Sequence, residues 1–440
     1  MLLKILVMPR FLLNFIKTMM RESNRIAFAI TCLYVIVQFI CLQLFGYTPY
    51  PDSNGYISLA QECVDAGTFY PQNLTDIPFL WNIGAINAVT ISLYLFDSIK
   101  PLLILYTLMQ GFMVWVVFAI AKELFNNKIA LVSLFLFVLY PANYGCGTSV
   151  LSEVPFIFFS LLSLLVALRG NFLCGGMLFA LANYFRPMSI IFIVALILFM
   201  AYKRVGIRKY FYLLLGFYLI TCPIGMVNYA TKGRYFTQGA MGWMGLMQYS
   251  WDHDRDKKSD YDLFPNNDPN KIEERLNYDC LQRDSVWKSH FFLWLSNNKF
   301  EYLRQMPEKV IKTYISDNVN FCVFLPDKNN REYMYDELSM STLAAVFPNW
   351  THIQKLTIIN LVYYYFLLLG GILGCICLVK NKQISSLIIP FITIIAGTGL
   401  LMLVGHGEAR FHQPFMPMFI MLSAYFFVEI FHRSGIGFRE

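Results

Sequence analysis

A small set of ionisable side chains in this chain of 440 residues sits at the edges of long apolar runs, where charge is costly and a reason for it must be found. Asp52 lies in Tyr50-Pro51-Asp52-Ser53-Asn54-Gly55-Tyr56, just past the first apolar run. Glu153 opens a later run, Arg186 closes another in Arg186-Pro187, and His406, Glu408, Arg410 and His412 crowd the gap between the last two. A carboxylate such as Asp52 can accept a hydroxyl proton as general base, and one base suffices for a single displacement at a sugar carbon. The planar guanidinium of Arg410 or Arg186 can grip phosphate oxygens with two hydrogen bonds and neutralise the charge building on a leaving phosphate. His406 and His412 can add donors or protonate that group. Together these residue types suit transfer between a membrane-held phosphate ester and a hydroxyl. Plainer roles stay open at this point: Asp52 can cap the helix expected over Ser53 to Ala66, and Glu153 with Arg186 can be a structural ion pair or a pair of interface anchors. The segment from His406 to His412 is a poor choice for packing alone.

Composition says which elements must position these groups. Hydrophobic residues make up 57% of the chain and charged ones 14%, against about 25% charged in soluble domains. Mean hydropathy is +0.50. An ordinary soluble protein is excluded, and so is a single-pass receptor. The net charge of +7 does not indicate nucleic acid as a partner, because basic residues of polytopic proteins gather at cytoplasmic helix ends. Most of the 10 cysteines lie inside apolar runs, and no metal-type pair at CxxC spacing occurs.

The expected fold is all-α and polytopic, with about ten transmembrane helices and a range of nine to twelve, interfacial helices on the outer face, and a long outer loop domain. The candidate spans are Ile26 to Phe45, Pro101 to Ala121, Ile129 to Tyr140, Val154 to Leu168, Phe172 to Tyr184, Met188 to Tyr202, Tyr210 to Tyr229, Leu356 to Val379, Ile384 to Val404 and Phe415 to Phe431. The short ones require shielding by neighbours. Residues 1–25 form a cytoplasmic amphipathic lead-in. Residues 26–230 form an N-terminal transmembrane module whose first outer loop is 46–100, 231–355 an outer-face loop domain, 356–432 the C-terminal transmembrane helices and 433–440 a cytoplasmic tail. With ten spans the short outward segments hold only Lys100, Arg186 and Arg410, and most other basic residues outside the long loop fall inward. The apolar run Phe79 to Phe96 is therefore placed in the outer interface, since making it a span would reverse that bias. Within the long loop, Asp284 to Asn298 and Lys299 to Ile315 read as helices lying on the membrane surface.

On this frame the motifs form a recognisable order. Asp52-Ser53-Asn54-Gly55-Tyr56-Ile57-Ser58-Leu59-Ala60, with Gly67 following, resembles the first outer-loop signature of the protein mannosyltransferase and aminoarabinose transferase group of the GT-C superfamily. Leu151-Ser152-Glu153-Val154-Pro155-Phe156 is similar to that group's Ser-Glu-Pro-like motif, and Phe185-Arg186-Pro187 to its Arg-Pro motif. The run from His406 through Glu408, Arg410, Phe411, His412 and Pro414 to Pro417 resembles its Glu-x-Arg-Tyr-His-x-Pro segment. The resemblance implies an integral-membrane glycosyltransferase that takes a sugar from a polyprenyl-phosphate donor with inversion and delivers it to a hydroxyl-bearing acceptor, whether lipid, glycan or protein. By the same likeness Asp52 is the base and Arg410 the donor-phosphate contact. His406, His412 and Arg186 stand beside the donor phosphate, and Glu153, Glu408 and Tyr56 are supporting or acceptor-side residues. The expected setting is a bacterial inner membrane, with the site on the periplasmic face and both termini cytoplasmic. No resident cofactor is implied beyond the lipid-linked sugar itself, although a divalent metal is compatible. Departures are Phe411 where Tyr is usual and Ile77-Pro78-Phe79-Leu80-Trp81, which matches a Pro-rich, Tyr-containing run only in part.

Other signals are weaker. Asp252-His253-Asp254-Arg255-Asp256 lacks the Gly of a calcium loop, Lys257 standing there, and reads as a solvated loop. Cys280 and Cys322 can pair on the outer side. Two further functions compete: a polysaccharide polymerase or ligase, whose diphosphate donor needs a second basic contact, and a lipid-linked sugar transporter or flippase. Transporters place polar groups near the midplane between repeated halves, whereas these polar groups gather at one face and no halves match.

Overall fold

The structure is a computed structural model that describes residues 22–77, 79–239, 242–252, 278–326, 337–405 and 407–433. Nearly all of the lead-in, most of the Asp252 to Asp256 cluster, His406 and the tail after 433 lie outside these residues. The regular elements are helical, and no strand occurs among the described residues. In chain order they are α1 (Ser23–Phe45), α2 (Pro51–Asp65), α3 (Ile83–Phe96), α4 (Lys100–Leu124), α5 (Asn127–Val138), α6 (Glu153–Leu168), α7 (Phe172–Phe185), α8 (Ser189–Tyr202) and α9 (Ile207–Lys232). They continue as α10 (Gly242–Asp252), α11 (Cys280–Asn297), α12 (Lys299–Tyr314), α13 (Met340–Ala345), α14 (His352–Lys380), α15 (Ile384–Val404) and α16 (Met416–Arg433).

This is a multi-pass membrane protein. Among the described residues six helical segments are long and apolar enough to cross a bilayer, α1, α4, α9, α14, α15 and the stretch Ala409–His432 that holds most of α16, and the bent pair of α5 with Pro141–Thr148 makes up to seven. Each of the ten expected spans falls on a helix. The short ones, α6, α7 and α8, bury much of their surface against neighbours, as helices too short for the hydrocarbon layer must. The third span differs from expectation. Its helix stops at Val138, and the following segment Pro141–Thr148 turns away by 72°, because Pro141 drives Tyr140 out of the helical region. α3 packs chiefly along α2 and leaves Ile91, Tyr94, Leu95 and Phe96 exposed.

Local chemistry accounts for several helix starts. Asn126 caps α5 by accepting from the backbone of Lys128 and Ile129, and Asp279 with Gln282 and Thr351 with Gln354 build capping boxes at α11 and α14. α7 and α9 cross so closely that an added Cβ would lie 2.0 Å from the Leu213 carbonyl at Gly176 and 2.1 Å from the Leu173 carbonyl at Gly216. Small residues that admit backbone contact are how helices associate where no water drives them together.

α11 and α12 lie in the segment between α9 and α14. Their aromatic side chains Trp287, Phe291, Trp294 and Tyr302 pack with Met244 and Met247 of α10 into a cluster of their own. α12 is two-faced. Phe300, Leu303 and Ile311 form an exposed apolar stripe that Ile315 continues past the helix end, while Tyr302, Gln305, Lys309 and Thr313 point into the protein. This two-faced pattern is the one an interfacial helix carries. Cys280 and Cys322 are both buried free thiols, so no disulfide joins them.

The glycine contact yields a test. Gly176→Leu should lower the unfolding midpoint of the detergent-purified protein by an amount equivalent to about 1–3 kcal/mol, the usual cost of overpacking. Gly206→Ala, where nothing lies within 4 Å of an added Cβ, should leave it unchanged.

Candidate functional site

The start of α2, the start of α6, the end of α7 and the 3-10 turn Ala409–Phe415 that leads into α16 meet at one rim of the bundle. Arg410 stands at the centre. Its Nη1 is 2.8 Å from Asp52 Oδ2 and 3.8 Å from Glu153 Oε1, and its Nε is 2.8 Å from Glu408 Oε1. Arg186 Nη1 lies 2.5 Å from the same Glu153 oxygen. Two guanidiniums thus face three carboxylates drawn from distant parts of the chain. Phe411 lies between them, its ring centroid 5.1 Å from the Arg186 guanidinium and 5.7 Å from that of Arg410. A phenyl ring supplies this stacking without a hydroxyl, which explains how the position works without Tyr.

Asp52 is not the cap of α2. The cap position is Tyr50, Pro51 is the first helical residue, and no side chain closes the turn. Asp52 instead sits in the first turn, where the helix dipole favours a carboxylate, with its side chain turned to Arg410. At 37% exposure it is the most accessible of the rim charges, against 14% for Arg410 and 5% for Glu153. Its placement depends on the rest of its motif. An added Cβ at Gly55 would come within 2.6 Å of the Trp81 ring, so Gly55 lets that indole lie flat on α2. Tyr56, one turn beyond Asp52, is buried, meets Trp81 edge-on at 5.3 Å and accepts a hydrogen bond of 2.9 Å from Asn82 Nδ2. Burial, and then the nearby Asp52 and Glu153 charges, push its phenol up to about 12, so it stays a neutral donor.

His412 lies apart from the guanidiniums, fully buried between the rings of Tyr314 and Tyr364. Its Nδ1 is 2.7 Å from the Thr313 carbonyl in the last turn of α12, and its Nε2 is 3.0 Å from Asp317 Oδ1. Each ring nitrogen thus has an oxygen neighbour, one from the backbone and one from a carboxylate. The other Asp317 oxygen accepts from the Tyr140 hydroxyl and, at 3.0 Å, from Asn360 Nδ2. In this geometry His412 braces the Ala409–Phe415 turn against the end of α12 and Asp317.

Asp317 is a buried partner of His412 that reading the sequence missed. It sits in a loop full of charges, with no motif around it, and only the 3% exposure of its side chain sets it apart. A narrow cavity of about 30 Å³, room for one or two waters, connects Glu153 to Tyr140 and Asp317. Among the described residues no three His, Cys, Asp or Glu side chains group as metal ligands, and Asp52, Glu153 and Glu408 are each held by a guanidinium. That donor set does not fit a divalent ion as it stands. Of the expected site residues, Asp52, Glu153, Arg186, Glu408 and Arg410 converge, Tyr56 lies behind Asp52, His412 stands on the far side of Phe411 in the chain, and His406 is outside the described residues.

No protein-family profile matches the sequence, and no curated relative is found. Two solved structures of the Archaeoglobus fulgidus oligosaccharyltransferase are similar in fold. One is tethered by a disulfide to an acceptor peptide containing the NVT sequon, with 12% identity and a TM-score of 0.45 over 92% of this chain and 50% of that one. The other is the apo form, with 12% identity and a TM-score of 0.46 over 94% of this chain and 52% of that one. This chain spans about half the length of that enzyme.

The ion pair between Arg186 and Glu153 predicts an asymmetric double-mutant cycle. Arg186→Met should destabilise the protein by about 3 kcal/mol, because it strips a buried carboxylate of its nearest partner. The double variant Arg186→Met with Glu153→Met should recover most of that loss. Thermal unfolding in detergent measures both, and an additive cycle would rule out the pairing.

Proposed function

We propose that this protein is an inverting glycosyltransferase that moves a sugar from a polyprenyl-phosphate donor to a hydroxyl acceptor at the non-cytoplasmic face of its membrane. The observation that carries the reading is the 2.8 Å contact between Asp52 and Arg410, a base and a phosphate-binding group brought together at a bundle rim. The order of the flanking motifs supports it, as does the scarcity of basic residues in the short loops on that side.

The geometry suggests how the two groups share the work. With no donor bound, Arg410 Nη1 is held by Asp52. A donor phosphate entering the rim competes for that guanidinium, since charge-assisted contacts to phosphate match its fork. Arg410 keeps Glu408 on its Nε and turns its Nη groups to the phosphate, which neutralises the charge that grows as the sugar–oxygen bond breaks. Asp52, released and partly open to water, then takes the proton of the acceptor hydroxyl as that oxygen attacks the opposite side of the anomeric carbon. Arg186 and Glu153 hold the second guanidinium beside Phe411, and His412 acts through the brace rather than on the phosphate. The sugar and the acceptor class are set by surfaces around this core.

Purified protein in detergent, given a radiolabelled polyprenyl-phosphate sugar and an acceptor, tests the assignment. Asp52→Asn should reduce turnover by about 100-fold or more with donor affinity retained or improved, since Arg410 loses its competitor. Arg410→Ala should weaken donor binding by about 2–5 kcal/mol. Undiminished turnover in Asp52→Asn removes the base assignment.

A further inference from the structure

α3 lies across one end of the bundle, and the direction of its neighbours shows which end. α6 opens at the rim with Glu153, and past its far end Arg169 meets Glu123, near the end of α4, at 3.0 Å. α4 therefore starts, at Lys100, on the rim side. α3 begins on that side too. A Cβ added at Gly84 would lie 2.7 Å from the carbonyl of Tyr184, just before Arg186, and the Asn87 side chain donates to the Tyr184 hydroxyl. After Phe96 a short turn, closed by Ser92 donating to the Ser98 carbonyl at 2.6 Å, leads into α4. A helix of 14 residues is about 21 Å long. With both of its ends on the rim side, α3 runs along the bundle end instead of through it.

The second half of α3 and the end of α2 frame a cavity of about 420 Å³. Its floor includes Cys63 and Thr90, both buried, and its mouth includes Phe69, Tyr94 and Leu95, all exposed. Thr90 donates to the Ile86 carbonyl of its own helix at 2.9 Å, and Thr68, on the wall, donates to the Tyr70 carbonyl at 3.1 Å. With those hydroxyls engaged the hollow is mainly apolar, and apolar surface is costly to leave in water. The flank beside it belongs to lipid: α4 crosses the bilayer, and in its first turns Ile104 and Leu105 are exposed. One cation stands at the edge. Lys232, the last residue of the membrane-crossing α9, is half-buried and reaches the same Tyr70 carbonyl as Thr68, at 3.4 Å. A carbonyl leaves that positive charge uncancelled, and a lysine at a bilayer surface attracts lipid phosphate.

We propose that the cavity between α2 and α3 is a phospholipid site, which takes one hydrocarbon chain of a membrane phospholipid and sets its phosphate near Lys232. Cys63 lies about three turns along α2 from Asp52, roughly 16 Å, so this lipid is held apart from the rim charges. It seals the far end of the helix that begins with Asp52. The site stands whether or not the protein transfers sugar.

Native mass spectrometry of the purified full chain, released from detergent micelles after titration with a phospholipid or with a diacylglycerol of the same chains, tests this. Wild type should retain one phospholipid that Val64→Trp, which fills the cavity, and Leu95→Glu, which puts a carboxylate at its mouth, both lose. Leu95 is exposed, so Leu95→Glu should keep the wild-type unfolding midpoint in detergent, and lipid loss there is not loss of fold. Lys232→Gln should lower the preference for phospholipid over diacylglycerol by about fivefold. Undiminished retention in Leu95→Glu and Val64→Trp overturns the proposal, as does equal retention of diacylglycerol by wild type. Displacement of the phospholipid by an equal concentration of sugar-free polyprenyl phosphate overturns the phospholipid as occupant, and a polypeptide bound there in its place overturns lipid altogether.

Discussion

The arrangement at the rim follows from the cost of removing charge from water. Arg410 is 14% exposed and Glu153 5%, and neither can be left alone at that depth without a penalty larger than most packing terms. The chain meets this by sharing. One guanidinium is distributed over Asp52, Glu153 and Glu408, and one carboxylate over Arg410 and Arg186. Because each charge is satisfied only when the others are in place, the ends of α2, α6 and α7 and the turn before α16 are fixed relative to one another. The same sharing leaves Asp52 as the most exposed member of the set.

Much of this was legible in the chain itself. Runs of about 20 apolar residues mark helices because a bilayer accepts little else, and charges at the ends of such runs stand out against them. Asp52 and Arg410 were visible for that reason. What the sequence hid has physical causes too. The break after Val138 was signalled by Pro141, but the angle depends on how Tyr140 and Ala142 are held by Asp317 and by the Asn360 side chain far away. Pro51 was the signal that Asp52 is inside the helix and not its cap. Asp317 and Lys309 were hidden by their surroundings, since in a loop dense with charges nothing in the spacing tells which will be buried.

α12 carries its polarity the wrong way round for a soluble helix. A helix with its apolar stripe outward and its polar residues inward inverts the usual soluble pattern, and that inversion makes sense where the outer medium is lipid. Its inward face holds Tyr302 to the Leu403 carbonyl at 2.8 Å, Tyr314 to Thr398 at 2.7 Å and Thr313 to His412. α15 and the turn carrying Arg410 are therefore buttressed by α12.

The distance in sequence between Asp52 and Arg410 has a consequence for biosynthesis. α2 leaves the ribosome long before the turn at Ala409–Phe415 exists, so throughout synthesis the nascent chain carries Asp52 and Glu153 without the arginine that both approach in the finished protein. Long-range pairings of this kind form last. The pairing of Asp52 with Arg410 therefore forms only after the turn at Ala409–Phe415 has been made, and a chain that stalls before it holds Asp52 without that partner.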